Sequence, residues 1–513
     1  MKKYSVAMTE DINVSLSNHL IRDDEQEDLC FAFYKTSTGN QRITALINEV
    51  IFPEIDDRNI HGNVSFNPDY FDKATSYALK NEYGIVFIHS HPFPGWQRMS
   101  TDDIEAETML APRVKAITGL PVVGMTIGSD GTWSARFWEK TASKTYDIKW
   151  CETVRVVGNG LNIHYNENLK PKPKFGQEFS RTISSWGPSK QESISRMKVG
   201  IVGMGSVGSI IAEALLRTGI ENLVFIDFDT IERKNLDRLL AASEKDIGKF
   251  KVDFQKNRLF DVNLRKGLDI EALPYSITEK TGLEAALDCD LLFSCVDMPL
   301  PRFTLDGIAY SNFIPVIDGG IDTNPNSDLS NIEQARWKAH TVGPQRICMQ
   351  CLGQYTPSDV SLEQSGELDN PYYIKGLPKD HFVNRGENVF GFSLSLAGME
   401  IQQFLSMVLQ PKGIYYGPKE MDFNFGNIDF DFENSCEKDC HIKAQLGQGD
   451  SFNKILLFDH PNAEKSRNKI QEPTMPKVKK ANPKTSSGKD SIIKKAIRKL
   501  KNLFDDSKGT FPF

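Results

Sequence analysis

The sequence has little of what marks secreted, membrane-spanning or nucleic-acid-binding proteins. Eight cysteines in 513 residues, several of them in close pairs, fit metal binding in a reducing compartment better than disulfides. No run of eighteen apolar residues occurs, so no membrane-spanning helix is expected. Polar residues at 9–11 interrupt the only candidate for a secretory signal. We therefore expect a cytoplasmic protein.

Positive charge is scarce outside one segment. The net charge is −7, yet residues 465–501 hold 13 lysines and arginines against two acidic residues. The rest of the chain is therefore strongly acidic, which argues against nucleic acid as the main ligand. Residues 461–513 are predicted to be a disordered basic tail with a terminal amphipathic helix. That helix could contact an anionic membrane, an acidic partner or the acidic body of this chain.

The length predicts two or three domains, and the first, residues 1–155, carries a histidine pair. The apolar run Gly84–Ile88 is predicted to be a strand that delivers His89 and His91. Residues i and i+2 of a strand point the same way, so the imidazoles converge. Asp103 follows in S-T-D-D at the start of a predicted helix. Two histidines and one aspartate predict a zinc site with an open position, as in catalytic zinc sites.

A nucleotide site is predicted in residues 175–460, after a linker at 156–174. The apolar run at 199–202 precedes the pattern G-x-G-x-x-G and a helical pattern, and a second apolar run at 223–226 ends in D-F-D. Glycine loops at helix N-termini bind phosphate, and an acidic residue after the next strand binds ribose. Dehydrogenases share this pattern, but they do not need the further Asn, Arg, Lys and Asp found downstream. Transfer of AMP from ATP does need such groups, for pyrophosphate and magnesium.

These motifs resemble the ThiF/MoeB superfamily of adenylating enzymes, which includes the ubiquitin-activating enzymes. The superfamily signature is D-x-D followed by N-x-x-R-Q, and here Leu239 replaces the glutamine. The resemblance implies that Asp229 contacts the ATP ribose and that Asp297 holds Mg²⁺. It also implies that Arg181 is lent to the ATP of a partner subunit, and hence a homodimer. The site residues implied by the resemblance are Gly203, Gly205, Gly208, Asp227, Asp229, Asn235, Arg238, Lys251, Asp297 and Arg181.

The stretch H-S-H-P followed by S-x-x-D resembles the JAMM (JAB/MPN-type) metalloproteases, which cut at the C-terminus of ubiquitin-like proteins. The resemblance implies His89, His91 and Asp103 as zinc ligands and Ser100 as a donor to the oxyanion. Eight residues separate His91 from Ser100 where seven are usual, so Asp102 remains an alternative ligand. The general base that deprotonates the water is predicted to be Glu27, and Glu25 and Glu49 are the alternative candidates.

Two cysteine pairs lie 85 residues apart in the second domain. Paired thiolates three or four positions apart can share a tetrahedral zinc, and superfamily members often carry such pairs. We predict a structural zinc held by Cys348, Cys351, Cys436 and Cys440. If a thioester forms, Cys348 or Cys351 is its candidate; otherwise the acyl-adenylate passes directly to a partner.

The sequence thus predicts an α/β protein in which a JAB/MPN-type metalloprotease domain precedes a Rossmann-like ThiF-type adenylating domain. The expected function is bifunctional. One half would trim or deconjugate a ubiquitin-like protein with zinc, and the other would adenylate its C-terminal glycine with ATP and Mg²⁺. The resemblance also implies a conjugating enzyme as a partner and a role in bacterial anti-phage defence. The alternatives are processing of a sulfur-carrier protein and a catalytically degenerate scaffold.

Overall fold

The structure is a computed structural model. It describes residues 2–61, 63–263, 267–326, 330–369, 388–414, 416–430 and 435–471, together with Lys375. The terminal amphipathic helix predicted for the tail, beginning at Asp490 or Ser491, lies outside these residues. The chain divides into two units, Met1–Asn468 and Lys469–Phe513. The three predicted sites, the histidine–aspartate zinc site, the nucleotide site and the four-cysteine zinc site, lie in the first unit.

A mixed sheet forms the core of the N-terminal half. Its strand order is β11-β10-β1-β3-β2-β6-β7-β8-β9, with β6 parallel to β7 and antiparallel to β2. Strand β6, an interior strand of the sheet, is buried along its whole length, as its continuous apolar run predicts. The strands are β1 Lys3–Thr9, β2 Leu29–Thr38, β3 Arg42–Ile51, β6 Gly84–Ser90, β7 Val123–Ile127, β8 Trp133–Ala142, β9 Thr145–Trp150, β10 Thr153–Val157 and β11 Leu161–Tyr165, with a separate hairpin of β4 Arg58–His61 and β5 Asn63–Phe66.

Helices α1 Glu10–Leu20, α2 Pro68–Asn81 and α3 Thr101–Thr118 pack on this sheet. The start of α3 is fixed by a capping box, because the Ser100 hydroxyl accepts from the Asp103 backbone N–H and the Asp103 carboxylate accepts from the Ser100 N–H. Gly119, at φ 73°, ends the helix in a left-handed conformation. The cap holds Asp103 near the end of β6.

The second half contains a parallel sheet that becomes antiparallel at one edge. Its order is β14-β13-β12-β15-β16-β17-β18-β19, parallel from β14 to β16 and antiparallel beyond. The carboxyl ends of the parallel strands meet at one edge, where α/β proteins bind nucleotides. The strands are β12 Lys198–Val202, β13 Asn222–Ile226, β14 Asp269–Leu273, β15 Leu291–Ser294, β16 Val316–Pro325, β17 Ile332–Val342, β18 Lys419–Asp422 and β19 Asn427–Phe430.

One helix of the second half is long and apolar enough to cross a membrane by length and composition, although no such helix was expected from the sequence. It is Phe390–Leu409 (α11), and it packs on β16, β17 and α6, with 56% of its most apolar window buried. Core helices pass the same test. The helices of this half are α4 Ser180–Trp186, α5 Pro188–Ser195, α6 Ser206–Thr218, α7 Lys251–Asp261, α8 Lys280–Leu287, α9 Pro299–Ser311, α10 Pro357–Gln364, α11 Phe390–Leu409, α12 Asp450–Asn453 and α13 Pro461–Gln471.

Charged side chains join the two halves. Arg42, on β3, donates to the Asp290 carboxylate at 2.6 Å, and both side chains are buried. Asp288 accepts from the backbone N–H groups of Gln41 and Arg42. The segment 156–174, predicted as a linker, contains β11, which pairs with β10. The first sheet therefore continues into that segment.

This interface supplies a stability prediction. We expect Arg42→Ala to lower the free energy of unfolding by about 3 to 5 kcal/mol, because it removes the closest partner of the buried Asp290 charge. Lys3→Ala removes an ion pair with Glu152 from a lysine that is 52% exposed, and it should cost less than about 1 kcal/mol. Urea titration of both variants tests the difference, and equal losses would contradict the role given to Arg42.

The same pair gives the sign of a pH dependence. Burial alone raises the pKa of Asp290, but Arg42, with Lys170 and Arg155, outweighs burial and holds that pKa well below its usual range. The folded pKa therefore lies below the unfolded value of about 4. This stabilisation is present above that value and is lost as the pH falls through the folded pKa. In Arg42→Ala the folded pKa of Asp290 rises toward or above the unfolded value, so the loss of stability on acidification below about pH 4 should be smaller than in the unaltered protein.

Candidate functional site

The two histidines and Asp103 converge at the carboxyl end of β6. The His89 Nε2 lies 3.1 Å from the His91 Nε2 and 3.0 Å from an Asp103 oxygen, and His91 Nε2 lies 3.4 Å from the other oxygen. Donors of a tetrahedral zinc site at about 2.0–2.1 Å from the ion are about 3.3 Å apart. The three ligand atoms therefore fit one zinc ion. Asp102, the alternative ligand, is exposed and lies outside this cluster.

Glu27 lies beside this cluster, whereas the alternative general bases, Glu25 and Glu49, do not. The Glu27 carboxylate is half-buried; burial raises its pKa, and His91 and His89 oppose that rise. Glu25 is exposed, and the Glu49 carboxylate accepts hydrogen bonds from Tyr77 and Tyr83 instead. Of the three glutamates, Glu27 has the position that a general base requires.

Sequence reasoning missed why Glu27 is held there. Its neighbour Asp28 is buried, although residues 23–28 include five acidic residues, and such a run usually forms a solvated loop. The Asp28 backbone N–H donates to the Ser90 hydroxyl at 2.9 Å, between the two histidines, and its carboxylate pairs with Arg58 at 2.7 Å. No local pattern signals these contacts, because Arg58 is thirty residues away. Ser100 is exposed at the start of α3, with its hydroxyl engaged by the Asp103 N–H.

The second site begins at the glycine loop between β12 and α6. A Cβ at Gly203 (φ 91°) would lie 2.3 Å from the Cys295 carbonyl oxygen, and one at Gly208 would lie 2.0 Å from the Gly203 carbonyl oxygen. Both positions therefore require glycine. A Cβ at Gly205 would meet nothing within 4 Å. The loop thus leaves open space at the N-terminus of α6, where backbone N–H groups can bind phosphate.

The predicted polar residues line a cleft of about 970 Å³ at the carboxyl edge of the parallel sheet. Asp227 shapes it by accepting from the Met204 N–H and the Asp229 N–H, both at 2.7 Å. Lys251 donates to the Asp229 carboxylate at 2.7 Å. The predicted residues that line the cleft are Gly203, Gly205, Asp227, Asp229, Asn235, Arg238, Lys251 and Asp297.

Lys251 is the buried cation of this cleft. Burial lowers its pKa, but the carboxylates of Asp227 and Asp229 outweigh burial, so the pKa of Lys251 is raised and the ammonium stays charged. The side chain of Arg238 donates to the Lys234 carbonyl at 2.7 Å and is 25% exposed. Cations and carboxylates at this edge can hold a triphosphate and its divalent metal. Arg181 is exposed on α4 and does not line this cleft.

The four predicted cysteines form one cluster. Their sulfurs lie within 4.8 Å of one another, with Cys348 Sγ 3.6 Å from Cys440 Sγ. Tetrahedral Zn–S bonds of about 2.3 Å place sulfurs about 3.8 Å apart. Backbone N–H groups of Cys348, Cys351 and Lys443 donate to three of these sulfurs, as they do at thiolate sites. The four residues fit a structural zinc.

Removing one sulfur should unfold this region. We expect Cys440→Ser to lower the zinc content by one ion per chain and the melting temperature by several degrees, because a structural zinc contributes directly to folding. Cys151→Ser alters a buried thiol outside both clusters and should leave the zinc content unchanged. Metal analysis with thermal melting measures both quantities. Unchanged zinc in Cys440→Ser would refute the assignment.

The four other cysteines are poor nucleophiles. Cys30, Cys151 and Cys289 are buried. Cys295 lines the cleft, but burial, with the nearby Glu400 and Asp318 carboxylates, raises the pKa of its thiol well above the ordinary value. Thiolates, not thiols, attack carbonyl carbons. The structure describes all four of these residues, and none of them is an exposed, activated nucleophile.

Sequence reasoning also missed a buried polar cluster beneath the cleft. Asp318 and His340 lie 3.5 Å apart with no exposed surface. Glu400 is buried in the apolar helix α11, and both its oxygens lack hydrogen-bond partners among the described residues. Burial raises the pKa of Glu400 and lowers that of His340 to about 4. Glu400 is the one charged residue of that helix, and a charge there was the available signal.

The parallel sheet, the glycine loop and the acidic turn after β13 define a Rossmann-like nucleotide-binding domain. Residues 179–367 match the model of the ThiF family, so the second half contains a ThiF family domain. The N-terminal half lies outside that match.

Three curated relatives match parts of this chain. Adenylyltransferase and sulfurtransferase UBA4 of Meyerozyma guilliermondii is 24% identical over 228 residues, which cover 44% of this chain and 48% of that protein. The tRNA threonylcarbamoyladenosine dehydratase of Bacillus subtilis is 30% identical over 147 residues, or 26% of this chain and 57% of that protein. Ubiquitin-like modifier-activating enzyme 5 of Dictyostelium discoideum is 36% identical over 118 residues, which cover 21% of this chain and 30% of that protein. The chain thus spans between 30% and 57% of the length of these relatives.

Proposed function

We propose that this protein is a bifunctional enzyme acting on the C-terminus of a small ubiquitin-like protein. Its second half adenylates the C-terminal carboxylate with ATP, and its first half hydrolyses a bond at that same terminus. The observation that carries the proposal is that one compact unit holds both a triphosphate-sized polar cleft in a ThiF family domain and a His₂Asp cluster beside a glutamate. The cytoplasm suits such a protein.

Adenylation needs positioning and charge stabilisation more than covalent chemistry by the enzyme. A carboxylate oxygen of the carrier attacks the α-phosphorus of ATP, and pyrophosphate leaves with the electron pair of the broken P–O bond. The glycine loop and Lys251 would hold the phosphates, and Asp229 the ribose. Asp297, exposed at the end of β15, would hold Mg²⁺ together with phosphate oxygens. Arg181 would serve the cleft of a second copy in a homodimer.

Hydrolysis is assigned to the first half. His89, His91 and Asp103 would hold zinc, which when bound supplies a Lewis acid and an activated water. The Glu27 carboxylate would accept the proton of the attacking water and return it to the leaving amine. Ser100, at the start of α3, would donate to the developing oxyanion. The products are a carrier ending in a carboxylate and a free amine, and the first of these is the substrate of the second half.

The acyl-adenylate is proposed to pass directly to a nucleophile on another molecule. The four clustered cysteines are assigned to a structural zinc, and the other thiols are buried or have raised pKa values. A conjugating enzyme would supply a cysteine for this step. A sulfur donor would instead give a thiocarboxylate, an alternative favoured by the name of the yeast relative, an adenylyltransferase and sulfurtransferase. Anti-phage defence by a bacterial conjugation system is the biological setting we propose.

Carrier-dependent exchange of labelled pyrophosphate into ATP tests the adenylation half. We expect exchange with a ubiquitin-like carrier ending in glycine, and a loss of about 10²- to 10³-fold in Asp297→Asn, since a ligand of the charge-neutralising metal is removed. Asp261→Asn changes an exposed carboxylate at the end of α7 and should exchange normally. Exchange with no candidate carrier would favour a degenerate scaffold. A mass spectrum of the carrier product then separates conjugate from thiocarboxylate.

A further inference from the structure

The strand order tells where the base of a bound nucleotide would lie. The glycine loop follows β12, Asp229 follows β13, and residues 274–277 follow β14, the outermost parallel strand. With the triphosphate at the glycine loop and the ribose at Asp229, the base extends over the end of β14. This placement of the base rests on the proposed use of ATP.

Aromatic side chains line that end of the cleft, and one of them comes from far along the chain. Phe228, Tyr275 and His460 all line the cleft. The His460 ring lies 4.4 Å from the Phe228 ring, centroid to centroid. His460 is separated by more than 90 residues from the end of the ThiF family match at residue 367. The predicted domain boundary at 460–461 therefore falls next to a residue of the nucleotide cleft.

Three contacts fix the segment that carries His460. The Phe458 N–H donates to the Thr278 carbonyl at 2.9 Å. The Arg467 guanidinium donates to the Glu279 carboxylate at 2.6 Å and 3.0 Å, and it lies 4.1 Å from the centre of the Tyr275 ring. Residues 458–467 are therefore clamped across the loop between β14 and α8. That loop lines the base end of the cleft.

A hydrogen bond also orients the His460 ring. Its Nδ1 lies 3.2 Å from the Ala463 backbone nitrogen and accepts that N–H. The ring packs near the Phe228 ring in the same cleft, and its flat face can stack on a purine.

From these contacts we propose that His460 is a positioning residue for the purine of the nucleoside triphosphate, and that the C-terminal segment 458–467 completes the nucleotide site. The glycine loop and the cations hold the triphosphate without regard to the base. Phe228, Tyr275 and His460 hold the base. Loss of His460 therefore weakens binding of ATP without weakening binding of a bare triphosphate.

Calorimetric titration of the full chain with Mg-ATP and with Mg-tripolyphosphate tests this division. In His460→Ala the Kd for ATP should rise about 5- to 150-fold, since stacking of a base on a ring is worth about 1–3 kcal/mol, while the Kd for tripolyphosphate stays within about twofold. His460→Phe keeps a flat ring and should recover most of the lost affinity. His61→Ala, at an exposed histidine of the β4–β5 hairpin, is the matched control.

The possible results of this titration distinguish the role of His460 from the proposed adenylation. An unchanged Kd for ATP in His460→Ala overturns the role of His460 and leaves the proposed adenylation intact. Equal weakening of ATP and tripolyphosphate also overturns it, because the residue would then act on the whole cleft. If the unaltered protein binds no ATP, the proposed adenylation fails, and this inference fails with it.

Discussion

Replacing Lys251 with methionine is expected to lower carrier-dependent pyrophosphate exchange by about a thousandfold. The ammonium is buried among the carboxylates of Asp227, Asp229 and Asp297, which keep it charged. A fixed cation in a poorly solvated cleft stabilises the charge that develops on the phosphates as pyrophosphate leaves, and loss of such a group costs about 10²- to 10³-fold or more. Methionine keeps a similar length but supplies no charge.

The control is Lys245→Met, at an exposed lysine on the short turn that precedes α7, which should exchange pyrophosphate at the normal rate. Circular dichroism establishes whether both variants are folded. Normal exchange by a folded Lys251→Met protein would remove Lys251 from the catalytic assignment. Hydrolysis by the first half should be unaffected, since Lys251 belongs to the other site.

Replacing Glu27 with glutamine is expected to lower hydrolysis of a carrier with a C-terminal extension by about 10²- to 10⁴-fold, the range for loss of a general base. Glutamine cannot accept the proton of the attacking water. The zinc content should not fall, because the ligand cluster is His89, His91 and Asp103. Cleavage measured by mass spectrometry, together with metal analysis, separates these two effects.

Glu25→Gln is the matched control for this experiment, since Glu25 is exposed in the same acidic run and should be cleavage-competent. His91→Ala should lose both zinc and hydrolysis. Full cleavage by Glu27→Gln would assign the base to another group. Loss of zinc in Glu27→Gln would instead make Glu27 a ligand.

Most of the site residues could be predicted from the sequence because they lie in short motifs whose spacing is set by strand and helix periods. The glycine loop and the turn after β13 lie close together in the chain, and the strand and helix periods between them fix where their side chains meet. The histidine pair is set by the two-residue period of a strand. In both cases a short motif determines its own geometry, so ligands such as His89 and His91 could be placed without a structure.

Contacts between distant parts of the chain could not be predicted in this way. The burial of Asp28 depends on Arg58, and the burial of Arg42 depends on Asp290, across the two sheets. His460 reaches the cleft only because Arg467 clamps its segment to the loop after β14. Periodicity reports which face of an element is apolar, but not which distant element covers it.

The way in which the two sheets are joined determines how the activities can be dissected. A protein cut after Val157 would lose β11, leaving β10 as an unpaired edge, and would expose Arg42 without its carboxylate partner. An unpaired strand edge favours aggregation, and a charged side chain that has lost its ion-pair partner destabilises the fold. Separately expressed halves would therefore report the damage of cutting as well as the loss of an activity. Single substitutions in the intact chain, such as Glu27→Gln and Lys251→Met, silence one reaction while the shared scaffold stays whole.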